Sequence, residues 1–284
     1  MPNIQESYTY CENLVKSHYE NFTIGSLFLP KHIKNHLYAI YSFCRNTDDI
    51  GDSLFENKIE KLNNLDILEA ELHKCYKKGY MPKDPFMIAL QDTINKFNIN
   101  ITPFLKLIEA NRIDQTKFRY NNFKELENYC SKSANPVGHL VLNIFGYSDD
   151  LRKTLSDYTC TALQLTNFLQ GIQNDYNLGR IYIPNEDMEN FNCKEKDILN
   201  SNSNPNFIKL VRFQTNRAYD LFKKGEDLFP LITRRFRTDI KLFSIGGIKI
   251  LDKIKSQGYD IINNPPKLNM KDKLEIIFKS IINK

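Results

Sequence analysis

Hydrophobic residues recur at intervals of three and four along most of this chain, which is the period of an amphipathic α-helix. The clearest run is formed by Ile59, Leu62, Leu65, Leu68, Leu72 and Cys75. The same period is present in 33–44 and 151–169, and it returns in 206–229, 238–256 and 271–282. No series of alternating strands with regularly spaced turns accompanies these runs. The pattern predicts an all-α protein of roughly ten or more helices.

Proline and glycine indicate where these helices begin and end. Pro30 precedes one predicted helix, and a break at 179–184 ends another. The Asn-Pro pair at 135–136 should bend or interrupt the helix that contains Tyr129, because proline lacks a backbone N–H and restricts the residue before it. No low-complexity linker divides the chain. A single domain covering residues 1–284 is therefore expected.

Two of the predicted helices carry a polar stripe on one face. The first stripe is Tyr41, Arg45, Asp48 and Asp52, and the second is Gln164, Asn167, Gly171 and Asp175. Residues three and four apart stack above one another on a helix, so each set shares a face. Carboxylate and amide oxygens on facing stripes can hold hard divalent cations, and Mg²⁺ is usual where phosphate oxygens and water complete the site. The stripes predict a magnesium site for a diphosphate, which Arg45 can clamp, although each stripe alone also fits a solvated helix surface.

Composition narrows the class of partner. The 284 residues are 41% hydrophobic, and the net charge of +5 comes from scattered lysines, which favours an anionic small molecule over nucleic acid. The six cysteines are widely spaced and form no Cys-x-x-Cys pair, so we expect a reducing compartment and no zinc site. The N-terminus lacks a signal-peptide pattern, and no apolar run approaches the roughly 20 residues that cross a bilayer. A cytoplasmic protein is expected, with peripheral attachment to the inner face of the membrane as the open alternative and no obligate protein partner evident.

Two further features have ordinary interpretations. His32, His36 and His73 are expected at the surface. The basic and amphipathic segment 267–284 is expected to be a terminal helix packed on the rest of the protein, with a membrane-surface role as the alternative.

Several segments resemble the squalene and phytoene synthase family. They are CRNTDDIGD (44–52), LQLTNFLQGIQND (163–175) and GRIYIP (179–184), in the family's order and spacing. Three more resemble one branch, the bacterial hydroxysqualene synthases of hopanoid biosynthesis: SHYENF (17–22), YCSKSANPVGHLVLNIFGY (129–147) and GYDIINNPPKL (258–268). The resemblance implies a single-domain isoprenoid-synthase helical bundle around a central cavity, with a prenyl diphosphate held at its top by Mg²⁺.

The resemblance also implies roles, position by position. Its metal motifs fall on Asp48, Asp49, Asp52, Asn167 and Asp175. The implied catalytic residues are Tyr41, Arg45, Asp48, Asp52, Tyr129, Gln164 and Asp175, of which Tyr41, Tyr129 and Gln164 match positions that face the reacting carbons. The implied substrate-binding residues are His18, Asn21, Arg45, Asp114, Asn167, Arg180 and Tyr182, with Arg180 and Tyr182 in a loop that closes over the site. His18 fits a structural histidine equally well.

Gly171 departs from the family pattern, in which most members have aspartate at this position. A glycine offers no oxygen to a metal and weakens a helix by about 1 kcal/mol relative to alanine. Asn174 is a poor substitute, because it lies about 60° away from the stripe on a helix. Gly171 is compatible with one weakened metal position, with a water in place of the carboxylate, or with lost catalysis.

The resemblance implies a Mg²⁺-dependent hydroxysqualene synthase that converts presqualene diphosphate and water to hydroxysqualene and diphosphate. SANPVG and GYDIINNPPKL favour this reaction, as does Gln170, where many condensing members place arginine. One alternative is head-to-head condensation of two prenyl diphosphates, such as farnesyl diphosphate, to presqualene diphosphate, squalene or phytoene. A further alternative is a non-catalytic scaffold or assembly protein of the same fold.

Overall fold

The computed structural model describes residues 3–18, 29–199 and 204–282. Within those ranges the chain forms thirteen α-helices and one 3₁₀ helix, with no strand, so the all-α prediction is confirmed. The helices are α1 (Ile4–His18), α2 (Lys31–Asp52), α3 (Lys58–Cys75), α4 (Pro85–Phe97), α5 (Thr102–Ile113), α6 (Phe123–Ser133), α7 (Asn135–Ile144), α8 (Asp150–Asn177), α9 (Asn185–Asn190), α10 (Glu195–Leu199), α11 (Pro205–Gly225), the 3₁₀ helix Glu226–Leu231, α12 (Arg234–Ser256) and α13 (Met270–Ile282).

The helix ends follow local backbone chemistry. Pro30 occupies the N-cap of α2, and Ala134 separates α6 from α7 at the predicted interruption before Pro136. Asn57 caps α3 through a reciprocal pair of hydrogen bonds with Glu60, which satisfies N–H groups that a helix start leaves open.

The chain divides into two compact units whose boundaries interleave along the sequence. The first unit contains residues 1–116 and 136–153, and the second contains residues 117–135 and 154–284. The single-domain assignment stays a prediction. None of the described helices is long and apolar enough to cross a membrane.

In the first unit, α2 packs against α1, α3, α4 and α5. It buries Leu37, Ile40 and Phe43, and the ring of Phe43 meets the edge of Phe104 from α5 at 5.2 Å between centroids. Phe43 lies on the side of α2 away from the polar stripe, whereas Leu37 lies one turn before Tyr41 on the face of the stripe itself.

A buried polar network joins α1, α2 and α4, and it corrects the prediction that His36 lies at the surface. His36 is 2% exposed. Its Nδ1 lies 2.9 Å from both Tyr8 Oη and Thr93 Oγ1. The hydroxyl of Tyr8 donates a hydrogen bond to Asp92 at 2.5 Å, and the hydroxyl of Thr93 donates one to the carbonyl of Ala89 at 2.8 Å. Because both hydroxyl protons are used elsewhere, the hydroxyl oxygens accept from His36, which places a proton on Nδ1.

In the second unit, two glycines allow α8, α11 and α12 to approach closely. A Cβ at Gly225 of α11 would overlap Oγ1 of Thr159 on α8. A Cβ at Gly247 of α12 would overlap the side chains of Phe222 and Leu163. α12 also packs along α13.

Candidate functional site

The first polar stripe lies on α2, on the side of the helix away from Phe43. Tyr41 and Arg45 are partly exposed, and Asp48 and Asp52 have exposed surface. The predicted order of these residues along one helix face is therefore present in the first unit. Their chemical roles stay predictions.

Asp48 has exposed surface but is closely surrounded by protein atoms. Mainly through this loss of water, and also through the negative charges of Asp52 and Asp114, the pKa of its carboxyl is raised to about 7. A hydrogen bond from Asn111 and the positive charge of Arg45 act in the opposite direction. A carboxyl whose charge is so poorly solvated would be stabilised in its ionised form by a bound cation.

Arg45 and Asp49 form an ion pair along α2. Nη2 of Arg45 lies 2.6 Å from Oδ1 of Asp49, with 38% and 50% of the two side chains exposed. The buried Nε of Arg45 finds no hydrogen-bond partner among the described residues. Asp49 lies one residue beyond Asp48 and so points about 100° away from the stripe. In this structure Asp49 holds Arg45, so a diphosphate or metal would compete with that ion pair.

Sequence reasoning missed two side chains, one on α5 and one just after its C-terminus, that support the stripe. Nδ2 of Asn111 donates to Oδ1 of Asp48 at 3.1 Å, and Nε2 of Gln115 donates to the carbonyl of Gly51 at 3.1 Å. Asn111, Asp114 and Gln115 are each 7–8% exposed. Polar residues at i, i+3 and i+4 were the available signal, and of the three only Asp114 was named, through the family resemblance.

The second stripe lies on α8 in the second unit. Gln164 and Asp175 are partly exposed and Asn167 is exposed, whereas Leu165 and Leu169 are buried on the apolar side. The spacing argument therefore placed these polar groups correctly along one helix.

Gly171 occupies an open position in this stripe. A Cβ placed there would meet only Asp175, with Oδ2 at 3.6 Å. This distance is an ordinary van der Waals contact. Packing therefore does not require glycine at this position.

The loop after α8 is held by backbone and arginine contacts. Gly179 adopts φ +78°, and the N–H of Arg180 donates to the carbonyl of Asp175 at 2.8 Å. Nη1 of Arg119 donates to the carbonyl of Gly179 at 2.6 Å, and its Nε pairs with Glu195 at 2.6 Å. Arg119 is a positioning contact that the sequence did not reveal. Arg180 itself is only 7% exposed.

Tyr129 and Tyr182 belong to one aromatic cluster in the second unit. The ring of Tyr182 stacks on Phe168 at 3.9 Å and 10°, and its centroid lies 5.5 Å from that of Tyr129. Tyr120 completes the cluster at 5.8 Å from Tyr182. The structure thus brings together two residues predicted from distant motifs. Aromatic faces of this kind can stabilise a cation.

Gln170 contacts the C-terminal segment that resembles the hydroxysqualene synthase branch. Its Nε2 donates to the carbonyl of Pro266 at 2.7 Å. Gln170 is partly buried and Pro266 is buried. Gln170 therefore attaches the segment 258–268 to the helix that carries the second stripe.

Two predicted substrate-binding residues lie at or beyond the limit of the description. Asn21 lies outside the described residues, and His18 is described only as the last residue of α1.

The donor types on the two stripes suit Mg²⁺. Asp48 and Asp52 offer carboxylate oxygens in the first unit, and Asn167 and Asp175 offer an amide and a carboxylate oxygen in the second, which are the hard ligands that Mg²⁺ prefers. Among the described residues, no group of three or more histidine, cysteine, aspartate or glutamate side chains is gathered as a ready-made metal site. This is compatible with Mg²⁺, which usually takes one or two carboxylates, water and substrate phosphates rather than a closed protein cage.

Comparison with known proteins identifies a family. The squalene/phytoene synthase model matches residues 15–272. A phytoene synthase from Arthrospira platensis is 32% identical over 275 residues, covering 91% of this chain and 87% of the relative.

Solved structures give the same relationship. The squalene synthase HpnC from Alicyclobacillus acidocaldarius has a TM-score of 0.82 and 42% identity, covering 90% of this chain and 95% of that one. A dehydrosqualene synthase solved with a ligand has a TM-score of 0.91 and 26% identity, covering 99% and 97% of the two chains. These neighbours have an isoprenoid-synthase helical fold.

Proposed function

The chain belongs to the squalene/phytoene synthase family, and on that premise we propose that it is a Mg²⁺-dependent hydroxysqualene synthase. Members of this family process prenyl diphosphates. The proposed reaction takes presqualene diphosphate and water to hydroxysqualene and diphosphate.

The contact between Gln170 and Pro266 is the observation that favours hydroxysqualene formation over the other reactions of the family. Gln170 stands where many condensing members place arginine, and Pro266 lies in GYDIINNPPKL, which resembles the hydroxysqualene branch. A 2.7 Å hydrogen bond joins these two distinguishing features.

The proposed chemistry begins with heterolysis of the C–O bond to the diphosphate. The bonding electrons leave with the diphosphate, the cyclopropane ring opens, and a water oxygen bonds to the resulting cation and loses a proton. Asp48, Asp52, Asn167 and Asp175 would hold Mg²⁺, which when bound supplies positive charge that stabilises the leaving group. Arg45 would exchange its bond to Asp49 for diphosphate oxygens, because a guanidinium can bind such an anion with two parallel hydrogen bonds.

The aromatic cluster would act on the carbocation. Tyr129 and Tyr182 are 6–7% exposed, so their surroundings exclude most water. Their ring faces would stabilise positive charge electrostatically and limit premature capture by water. Gln164, whose amide carries an NH₂ donor and an acceptor oxygen, would orient the water that is captured.

Head-to-head condensation is the second candidate activity. It is supported by the identity to phytoene synthases and by the structural likeness to a dehydrosqualene synthase. A scaffold role is the third, motivated by Gly171. The substrate and product of either enzymatic reaction carry long apolar chains, so we place the activity in the cytoplasm at a membrane surface.

Mass spectrometric product analysis tests the proposal. Protein with Mg²⁺ receives presqualene diphosphate in one reaction and farnesyl diphosphate in another. Hydroxysqualene from the first reaction alone is expected. A product from farnesyl diphosphate would move the protein to the condensing activities, and no product from folded protein in either reaction would favour a scaffold.

Gln170→Ala refines this test, with Gln173→Ala as the matched control on the same helix. Loss of the hydrogen bond to Pro266 should reduce hydroxysqualene formation by about tenfold and increase protease cleavage within 258–268. Gln173 is exposed, so its substitution should change neither readout. Unchanged product formation in Gln170→Ala would remove the structural argument for the hydroxysqualene reaction.

A further inference from the structure

Helix α13 exposes a row of large apolar side chains. Met270, Leu274 and Phe278 are 70%, 65% and 65% exposed. They lie four residues apart, so they form one stripe over more than two helical turns. Single exposed apolar residues are ordinary, whereas an aligned row of three on one helix indicates a surface with a binding role.

The opposite face of α13 holds the helix against α12. Ile276 is 1% exposed and Asp272 is 7% exposed. Nζ of Lys253 lies 2.7 Å from Oδ2 of Asp272, and Nζ of Lys249 lies 2.5 Å from Oε2 of Glu275. The later residue of α13 thus pairs with the earlier residue of α12, so the two helices run antiparallel.

The acidic side chains of α13 are paired with lysines, and Glu275 also binds Lys279 of its own helix at 2.8 Å. Asp272 and Glu275 are engaged with lysines of α12. Lys271 is exposed and lies about 100° around the helix from Met270, beside the apolar stripe. Lys267 is exposed three residues before the start of α13. The outer face of α13 is therefore apolar with a cationic border.

We propose that this outer face of α13 docks on the surface of an anionic lipid bilayer. An amphipathic helix with a cationic border lies in the plane of the interface, with its apolar side chains at the boundary between headgroups and acyl chains. α13 has 13 residues, or about 20 Å of helix, which is too short to span a bilayer. The lysines would contribute through attraction to anionic headgroups.

Charge favours a bilayer over a second copy of the chain. A second copy would present the same lysines at this face, while Asp272 is buried against α12 and Glu275 is already paired with Lys249 and Lys279. Anionic headgroups instead complement Lys267 and Lys271. This inference concerns attachment alone and holds for any of the candidate reactions.

Vesicle flotation without substrate tests the proposal. Wild-type protein is mixed with phosphatidylcholine vesicles, with or without phosphatidylglycerol, at low and high salt. Binding should require the anionic lipid and weaken as salt screens the lysines. No binding of wild-type protein to anionic vesicles would overturn the proposal.

Two variants separate the contributions of the apolar side chains and of the lysines to vesicle binding, and a third is a control. The triple change Met270→Ser, Leu274→Ser and Phe278→Ser should weaken binding by more than about tenfold. Lys267→Gln with Lys271→Gln should reduce the preference for anionic lipid. Ile67→Ser is the matched control, because Ile67 on α3 is similarly exposed at 61% and should leave binding unchanged.

Further measurements distinguish loss of binding from loss of fold, and a bilayer from a second copy of the chain. Circular dichroism and thermal melting of each variant show that a loss of binding is not a loss of fold. Equal binding of the triple variant and wild type would exclude this face. Sedimentation velocity that shows a dimer in wild type and a monomer in the triple variant, with no vesicle binding by either, would assign the face to a second copy.

Discussion

The side chain of Asn111 donates a hydrogen bond to Asp48, with 3.1 Å between Nδ2 and Oδ1. This contact connects α5 to the carboxylate stripe of α2. It favours the charged form of Asp48, whose pKa is raised to about 7 by its protein surroundings and by nearby carboxylates. Asn111 therefore lowers the pH at which Asp48 ionises, and only the ionised carboxyl would serve the proposed metal site.

Asn111→Leu should shift the acidic limb of the pH profile of catalysis to higher pH. Without the hydrogen bond the charged carboxylate is less favoured, so the pKa of Asp48 rises above about 7. A hydrogen bond to a charged group contributes about 1.5–3 kcal/mol, or about one to two pH units. The acidic limb of kcat/KM against pH, measured at fixed Mg²⁺, should shift to higher pH by about one unit or more.

Asn64→Leu provides the control for this shift. Asn64 is a residue of α3, and its side chain donates a hydrogen bond to Glu56 at 3.0 Å. Its substitution should leave the acidic limb in place. An Asn111→Leu profile that overlays the wild-type profile would show that Asp48 does not govern the acidic limb.

Gly51→Ala, a change on α2, should disturb the hydrogen bond from Asn111 to Asp48. A Cβ at Gly51 would overlap Oδ1 of Asn111, so the carboxamide must move. We expect a loss of about 1–2 kcal/mol in the free energy of unfolding, measured by urea denaturation. The acidic limb of the pH profile should move in the same direction as in Asn111→Leu.

Gly246→Ala is the matched glycine control. Gly246 also lies within a helix, but a Cβ there would meet nothing within 4 Å. Alanine should stabilise this position by about 0.5–1 kcal/mol. Equal effects of the two substitutions would mean that α5 does not restrict Gly51.

The sequence predicted the elements of the site better than their contacts. The stripes on α2 and α8 were recognisable because a helix turns residues three and four apart to one face. The interruption near Pro136 was recognisable because proline restricts its neighbours. Both are local rules, and both held in the structure.

Contacts between distant residues were not recognisable in the same way. Asn111 meets Asp48 across 63 positions, and Gln170 meets Pro266 across 96. His36 was expected at the surface because its sequence neighbours do not show that Tyr8 and Thr93 will enclose it. Such contacts depend on how helices pack, which periodicity within one helix does not specify.

His36 should make the protein less stable as the pH falls. Burial and the positive charge of Lys96 lower the pKa of His36 to about 4 in the folded state, against about 6.5 in an unfolded chain. Between these values the unfolded state binds more protons, so the stabilisation present above pH 6.5 is lost toward pH 4. The loss reaches about 3 kcal/mol.

His36→Gln should flatten this part of the stability profile, measured by urea denaturation at pH 7, 6, 5 and 4 (about the range of the two pKa values). Its stability at pH 7 should also fall, because the network with Tyr8 and Thr93 is altered. His32→Gln should keep the wild-type pH dependence, since His32 is exposed. Parallel profiles for His36→Gln and wild type would assign the acid sensitivity to other groups.

Gly171 provides a direct test of the second stripe. A side chain fits at this position, since a Cβ would lie 3.6 Å from Oδ2 of Asp175. Aspartate there would add a carboxylate one turn before Asp175. The gain in helix propensity, about 0.3–0.5 kcal/mol over glycine, is similar in size to the repulsion between like charges four residues apart, so the stability of the metal-free protein should change little.

Gly171→Asp should therefore increase the response to ligands without stabilising the free protein. With Mg²⁺ and inorganic diphosphate together, the melting temperature of Gly171→Asp should rise further than that of wild type, because tighter binding to the folded state adds to its stability. A tenfold gain in affinity corresponds to about 1.4 kcal/mol at saturating ligand. Gly171→Ala separates helix propensity from metal binding, since it should stabilise the free protein by about 1 kcal/mol and leave the ligand response unchanged. If Gly171→Asp responded no more strongly than Gly171→Ala, residue 171 would not be a metal position in this protein, and the second stripe would bind through Asn167 and Asp175 alone or not at all.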